Sequence, residues 1–114
     1  DSLVVRVVQE RLCTLLPGDV GAEEQYLLAQ QVQPVDVLVA PHHGSSDLAP
    51  EFFAAAAPGL GAISVGENNY GHPSEKSLRS FGPVPVLRTD HCGSVALYAG
   101  NRFSTGHSCP EDKG

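Results

Sequence analysis

A chain of 114 residues has room for one domain, or one large piece of a domain, around a single hydrophobic core, and excludes a second domain. With 41% hydrophobic and 18% charged residues the composition excludes wholesale disorder, and no apolar run reaches the roughly 18 residues of a membrane span. The formal net charge of −6 excludes a broad basic surface that would grip phosphates by counterion release, so any contact with nucleic acid must be local.

The chain starts inside a strand-like pattern, with no basic stretch and apolar stretch to mark a signal peptide, which predicts a cut through a larger protein. Residues 2–8 and 12–16 are β-branched and leucine-rich runs around Gln9-Glu10-Arg11, which predicts two antiparallel strands and a short turn. Over 21–31 the residues Ala22, Tyr26, Leu27 and Ala29 recur at helical spacing, with Glu23 and Glu24 in the first turn where the helix dipole favours anions. Residues 36–40 form a continuous apolar run after Pro34, as expected of a strand buried on both faces. A second helix is predicted over 47–57, with Asp47 as N-cap, a proline near the first turn and a stop before Pro58-Gly59. Another short strand, 62–65, leads through the polar loop 66–71 to a third helix over 73–81, closed by Gly82. Strands over 84–88 and 94–98 then flank a turn at 90–93. The polar, terminal stretch 104–114 predicts a disordered tail, leaving 1–103 as the ordered unit. The order β-β-α-β-α-β-α-β-β predicts an α/β structure with about three helices against a mixed sheet.

Cysteines stand at 13, 92 and 109 without C-x-x-C spacing, which excludes a zinc ribbon or a thioredoxin-type motif. Cys13, in an apolar strand, is expected to be a small core residue. His91-Cys92 falls in the predicted turn and His107 and Cys109 in the tail, so both pairs read as incidental to metal binding.

Three stretches share one pattern, a strand that delivers polar side chains at its end. Leu15-Leu16-Pro17-Gly18-Asp19 ends in a carboxylate that can bridge two divalent ions or cap the following helix. Pro41-His42-His43-Gly44-Ser45 follows the strand 36–40; adjacent imidazoles in an extended backbone point different ways, so one can bind a metal while the other contacts a phosphate or carries a proton. After the strand 62–65, Asn69 and His72 can hydrogen-bond a phosphodiester oxygen, and Ser74 is placed to cap a helix whose N-terminus favours anions.

Taken in order, Leu-Leu-Pro-Gly-Asp19, Asp36-Val-Leu-Val-Ala-Pro-His-His-Gly-Ser45, Ile63-Ser-Val-Gly with Asn-Tyr-Gly-His-Pro73, and Leu87-Arg-Thr-Asp90 with Gly93-Ser-Val95 resemble the C-terminal metallo-β-lactamase-like domain of the ComEC competence family. The likeness covers residues 2–97. It implies the C-terminal half of a metallo-β-lactamase (αββα) fold, with Asp19 as a bridging metal ligand and His43 as a ligand of one ion. By the same resemblance His42 faces the substrate phosphate, and His72 is a phosphate contact or an additional ligand. Ser45, Asn69 and Ser74 are the expected substrate-binding positions. Two divalent ions, zinc or manganese, are implied in the complete domain, where a metal-bound hydroxide would attack a phosphodiester.

The family's His-x-His-x-Asp-His cluster belongs upstream, and the five histidines here have the wrong spacing for it. Little or no catalysis is therefore expected of this chain alone, with at most one weakly bound ion. The implied partners are single-stranded DNA and the upstream half of the same domain, at the extracytoplasmic face of the cytoplasmic membrane, with no membrane insertion by this segment. Two rivals stand beside this reading: a phosphodiesterase on a small substrate such as a phosphocholine ester, and a non-catalytic half-domain that is structural or binds a partner.

Overall fold

The structure, a computed structural model, describes residues 4–65, 72–93, 95–98, 102–105 and 112–113. It is an α/β arrangement whose main sheet has six strands. The chain runs through β1 (Val5–Gln9), β2 (Leu12–Leu16), helix α1 (Ala22–Leu28), β3 (Val37–Val39), a 3-10 turn (Pro41–Gly44), α2 (Pro50–Ala56) and β4 (Leu60–Ile63). It continues through α3 (Glu75–Ser80), β5 (Pro85–Arg88), α4 (Thr89–Cys92), β6 (Val95–Tyr98), β7 (Arg102–Thr105) and β8 (Asp112–Lys113).

Sheet order is β1-β2-β3-β4-β5-β8, antiparallel at both ends and parallel from β2 to β5. The β1-β2 hairpin pairs Gln9 with Leu12, so its loop is Glu10 and Arg11, both at positive φ (49° and 72°). Positive φ at both central residues is the backbone twist that a two-residue hairpin needs. From β2 to β5 the order advances one strand at a time, and crossovers of one hand then put α1, α2 and α3 on the same face of the sheet. Side-chain alternation agrees. Leu15, Leu38, Ile63 and Val86 point into a core with Phe52, Phe53, Ala56 and Phe81, against which Leu28 and Leu78 pack. Their neighbours Val37, Leu60 and Leu87 form a smaller buried cluster on the other face. Gly61 makes room for Phe81: a Cβ there would lie 2.6 Å from the ring, which itself meets Phe53 edge-on with centroids 4.9 Å apart.

Two expectations are corrected. Asp47 does not cap α2, whose N-cap is Ala49 with Pro50 in the first turn; its carboxylate Oδ1 instead accepts the Ala22 N–H (3.0 Å) at the start of α1. Residues 84–88 and 94–98 do not form a hairpin. After β5 the chain curls into α4, held by the Arg88–Asp90 fork (2.7 and 3.0 Å) and by the Thr89 hydroxyl on Val65; β6 pairs with β7, and β8 takes the outer edge of β5. Within the stretch expected to be a disordered tail, Ser104 and Thr105 belong to β7 and Asp112 and Lys113 to β8, while 106–111 and Gly114 lie outside the described residues. No helix among the described residues is long and apolar enough to cross a membrane.

Gln25 ties α1 to the rest. Its side chain is fully buried: Nε2 donates to Val20 O (2.9 Å) and Asp47 O (3.2 Å), and Oε1 accepts the Ala49 N–H (2.9 Å). All three are backbone groups that lie outside regular pairing, so one amide satisfies what the loops leave open.

Candidate functional site

Parallel strands end on the same edge of a sheet, and the loops that leave them meet there. From β2 come Pro17, Gly18 and Asp19; from β3 the turn Pro41–Gly44; from β4 Ser64 and Val65; and at the end of β5 stands Thr89. Backbone bonds lace these loops together. His42 N–H donates to Gly18 O (2.8 Å), and Ser74 N–H donates to Gly44 O (2.7 Å).

The histidine turn is left-handed. His42, His43 and Gly44 have φ of 50°, 54° and 83°, a region that costs a non-glycine residue about 1–2 kcal/mol. Such a backbone persists only where its surroundings fix it. Here the bonds to Gly18 and Ser74 do so, together with Ser45 N–H on His42 O (3.0 Å). The turn also presses on the loop after β4, since a Cβ on Gly44 would stand 2.6 Å from Pro73 Cβ.

His43 Nδ1 lies 2.8 Å from Ser64 O. A carbonyl oxygen only accepts, so Nδ1 carries the hydrogen, and in a neutral ring Nε2 holds a bare lone pair. That nitrogen faces Asp19 Oδ1 at 3.9 Å, with both side chains exposed (58% and 67%). A carboxylate and an imidazole lone pair are both acceptors, so a favourable contact needs a positive charge between them: a proton on Nε2 or a metal cation. Metal–nitrogen and metal–oxygen bonds of about 2.0–2.2 Å would let one ion span the gap. Two donors do not complete a tetrahedral site, and among the described residues no three His, Cys, Asp or Glu side chains form a group that could hold a metal ion.

The structure therefore brings Asp19, His42, His43 and His72 to one edge. His42 stacks edge-on against His72 with ring centroids 6.0 Å apart, and its Nδ1 is buried without a hydrogen-bond partner. Asp19 does not cap α1: the N-cap is Gly21, which has no side-chain bond to offer, and Asp47 serves Ala22. Ser45 is only 8% exposed and its Oγ accepts the Asp47 N–H (3.1 Å), which sets its hydroxyl inside the loop. Ser74 caps α3, its Oγ accepting the Ser77 N–H (3.1 Å). Asn69 lies outside the described residues, as do the side chains of His91 and Cys92.

Sequence reasoning missed Gly18 O and Ser64 O because backbone carbonyls leave no residue-type signal. Thr89 was visible only as part of a motif. Its Oγ1 accepts the Val65 N–H (2.7 Å) and donates to Val65 O (2.9 Å), which clips the end of β4 to the end of β5. Compared with protein-family models, with curated proteins and with solved structures, the chain gives no match.

Proposed function

We propose that this chain is the distal half of a metal-dependent phosphodiesterase domain of the metallo-β-lactamase type, working on single-stranded DNA during its uptake at the extracytoplasmic face of the cytoplasmic membrane. The reading rests on the ordered motifs together with one observation: with Nδ1 engaged by Ser64 O, His43 offers Nε2 to the Asp19 carboxylate across a 3.9 Å gap suited to a cation. Asp19 and His43 hold one side of that cation, and His42 with His72 is the pair beside it that would meet a phosphate. Two donors are too few for catalysis, so the remaining ligands are assigned to an upstream half. Exposed apolar residues support a missing neighbour: Val8 is 63% exposed, Leu27 59% and Tyr26 54%, with Val5, Val7 and Leu16 also open to solvent. A purely structural half-domain is the second reading, favoured by the same shortage of ligands.

Calorimetric titration of the chain with manganese or zinc tests the metal assignment. Weak binding at one site is expected, lost in Asp19→Asn and in His43→Ala. Because Asp19 is exposed and caps no helix, Asp19→Asn is expected to unfold in urea within about 1 kcal/mol of the parent. Binding that survives both substitutions would sink the assignment and favour the structural half-domain. Substrate is tested in the chain joined to its upstream half, by comparing cleavage of single-stranded DNA with cleavage of a small phosphodiester such as a phosphocholine ester.

A further inference from the structure

The carbonyl of Ser64 and the N–H of Val65 belong to one peptide group. At its oxygen end this group accepts the Nδ1 hydrogen of His43 (2.8 Å); at its nitrogen end it donates to Thr89 Oγ1 (2.7 Å). Thr89 returns its own hydroxyl hydrogen to Val65 O (2.9 Å), so its lone pair is left facing the Val65 N–H and the rotor is fixed. A peptide whose N–H is bonded to an oxygen becomes a better acceptor at its carbonyl, because hydrogen bonds in a chain polarise one another. Four groups thus stand in line from the end of β5 to the sheet edge: the Thr89 hydroxyl, the Ser64–Val65 peptide, the His43 ring and the Asp19 carboxylate.

We propose that Thr89 is a positioning residue of the strand-end site, which acts through the Ser64–Val65 peptide to hold His43 in the Nδ1–H tautomer with Nε2 turned to Asp19. An imidazole on the surface has no such constraint, and His43 is exposed, so burial does not choose its tautomer. The bond at Nδ1, at 2.8 Å, favours the Nδ1–H form over the Nε2–H form that the Asp19 carboxylate, 3.9 Å from Nε2, would favour. That bond depends on where the Ser64 carbonyl lies, and Thr89 is the side chain that fixes the peptide from behind. The Arg88–Asp90 fork, half-buried on either side of Thr89, keeps α4 wound and so keeps the hydroxyl over Val65. The functional meaning of this relay rests on the proposed cation between Asp19 and His43; the relay itself does not.

Nitrogen-15 NMR of the imidazole rings of the 114-residue chain, at a pH where His43 is neutral, reads the tautomer directly. The parent is expected to show His43 predominantly as Nδ1–H. Thr89→Val keeps the shape and removes the hydroxyl, and is expected to move His43 towards the Nε2–H form, while Thr89→Ser restores the parent pattern. His42, which makes no bond to this peptide, serves as the internal reference in each spectrum. A parent His43 in the Nε2–H form overturns the proposal without recourse to any variant. So does a folded Thr89→Val chain whose His43 tautomer is unchanged. If Thr89→Val does not fold, Thr89→Ala, which also lacks the hydroxyl, takes its place: a shift of His43 towards Nε2–H supports the relay and an unchanged tautomer overturns it. Failure of the chain to bind manganese or zinc would remove the proposed function and leave the tautomer result standing.

Discussion

At the scale of single residues, Gly44 carries the most constraint. Its φ of +83° belongs to the region that side chains avoid, and the space a Cβ would enter is filled by Pro73 at 2.6–2.8 Å and by Ile63 at 3.4 Å. Gly44→Ala is therefore expected to destabilise the chain by about 2–3 kcal/mol in urea denaturation. An unchanged midpoint would show that the histidine turn relaxes freely. The positions of Asp19, His42, His43 and His72 on one edge were legible in the sequence, because each follows a short apolar run and parallel strands end together. What a given side chain touches was not legible. Ser45, an expected substrate-binding position, accepts the Asp47 N–H within its own loop, and the partners of His43 and His42 are carbonyls that any residue type would supply.

Elements followed periodicity where it was long and failed where a distant side chain intervened. The three main helices fall inside the predicted stretches, and Ser74 caps α3 as its spacing suggested. Asp47 sits where an N-cap of the following helix is expected, yet its carboxylate reaches back across the fold to Ala22. No local rule sees such a bond, which spans 25 residues. The expected hairpin after β5 failed likewise, since Thr89 is drawn to Val65 at a separation of 24 residues and the chain winds instead of turning back. Asp47→Ala should loosen α1 by about 0.5–2 kcal/mol, the usual range for losing a capping oxygen. Amide exchange at Ala22 and its neighbours checks this; faster exchange confined to the start of α2 would contradict it. Gln25 is the stronger link between the same elements: an apolar residue there would leave the Ala49 N–H without its present acceptor.

Seen whole, the molecule is closed on the helix side of its sheet and open beside β1. Val5 and Val7 on one face and Val8 on the other are exposed along a strand that lies at the end of the sheet, and Tyr26 and Leu27 of α1 are exposed as well. Edge strands with apolar side chains on both faces invite pairing with another chain, and charge on the strand is the usual defence. Arg6 is the one charged residue in β1. Val8→Lys is expected to lower binding of a hydrophobic dye and to reduce concentration-dependent association in sedimentation, with the far-ultraviolet spectrum unchanged. Unaltered association would place the sticky surface elsewhere.

The long reach of the bonds at the strand ends also sets an order of events during translation. Asp19, His42 and His43 are synthesised well before Thr89, and Ser64 reaches His43 only across 21 residues of chain. A ribosome that releases the chain from its N-terminus can assemble β1, β2 and β3 early, since domains form as their segments emerge. His43 at that moment has no Ser64 carbonyl, and when Ser64 arrives it has no Thr89 behind it. The edge thus matures in the sequence of its strands, and a nascent chain stalled before residue 89 would present its histidines unset.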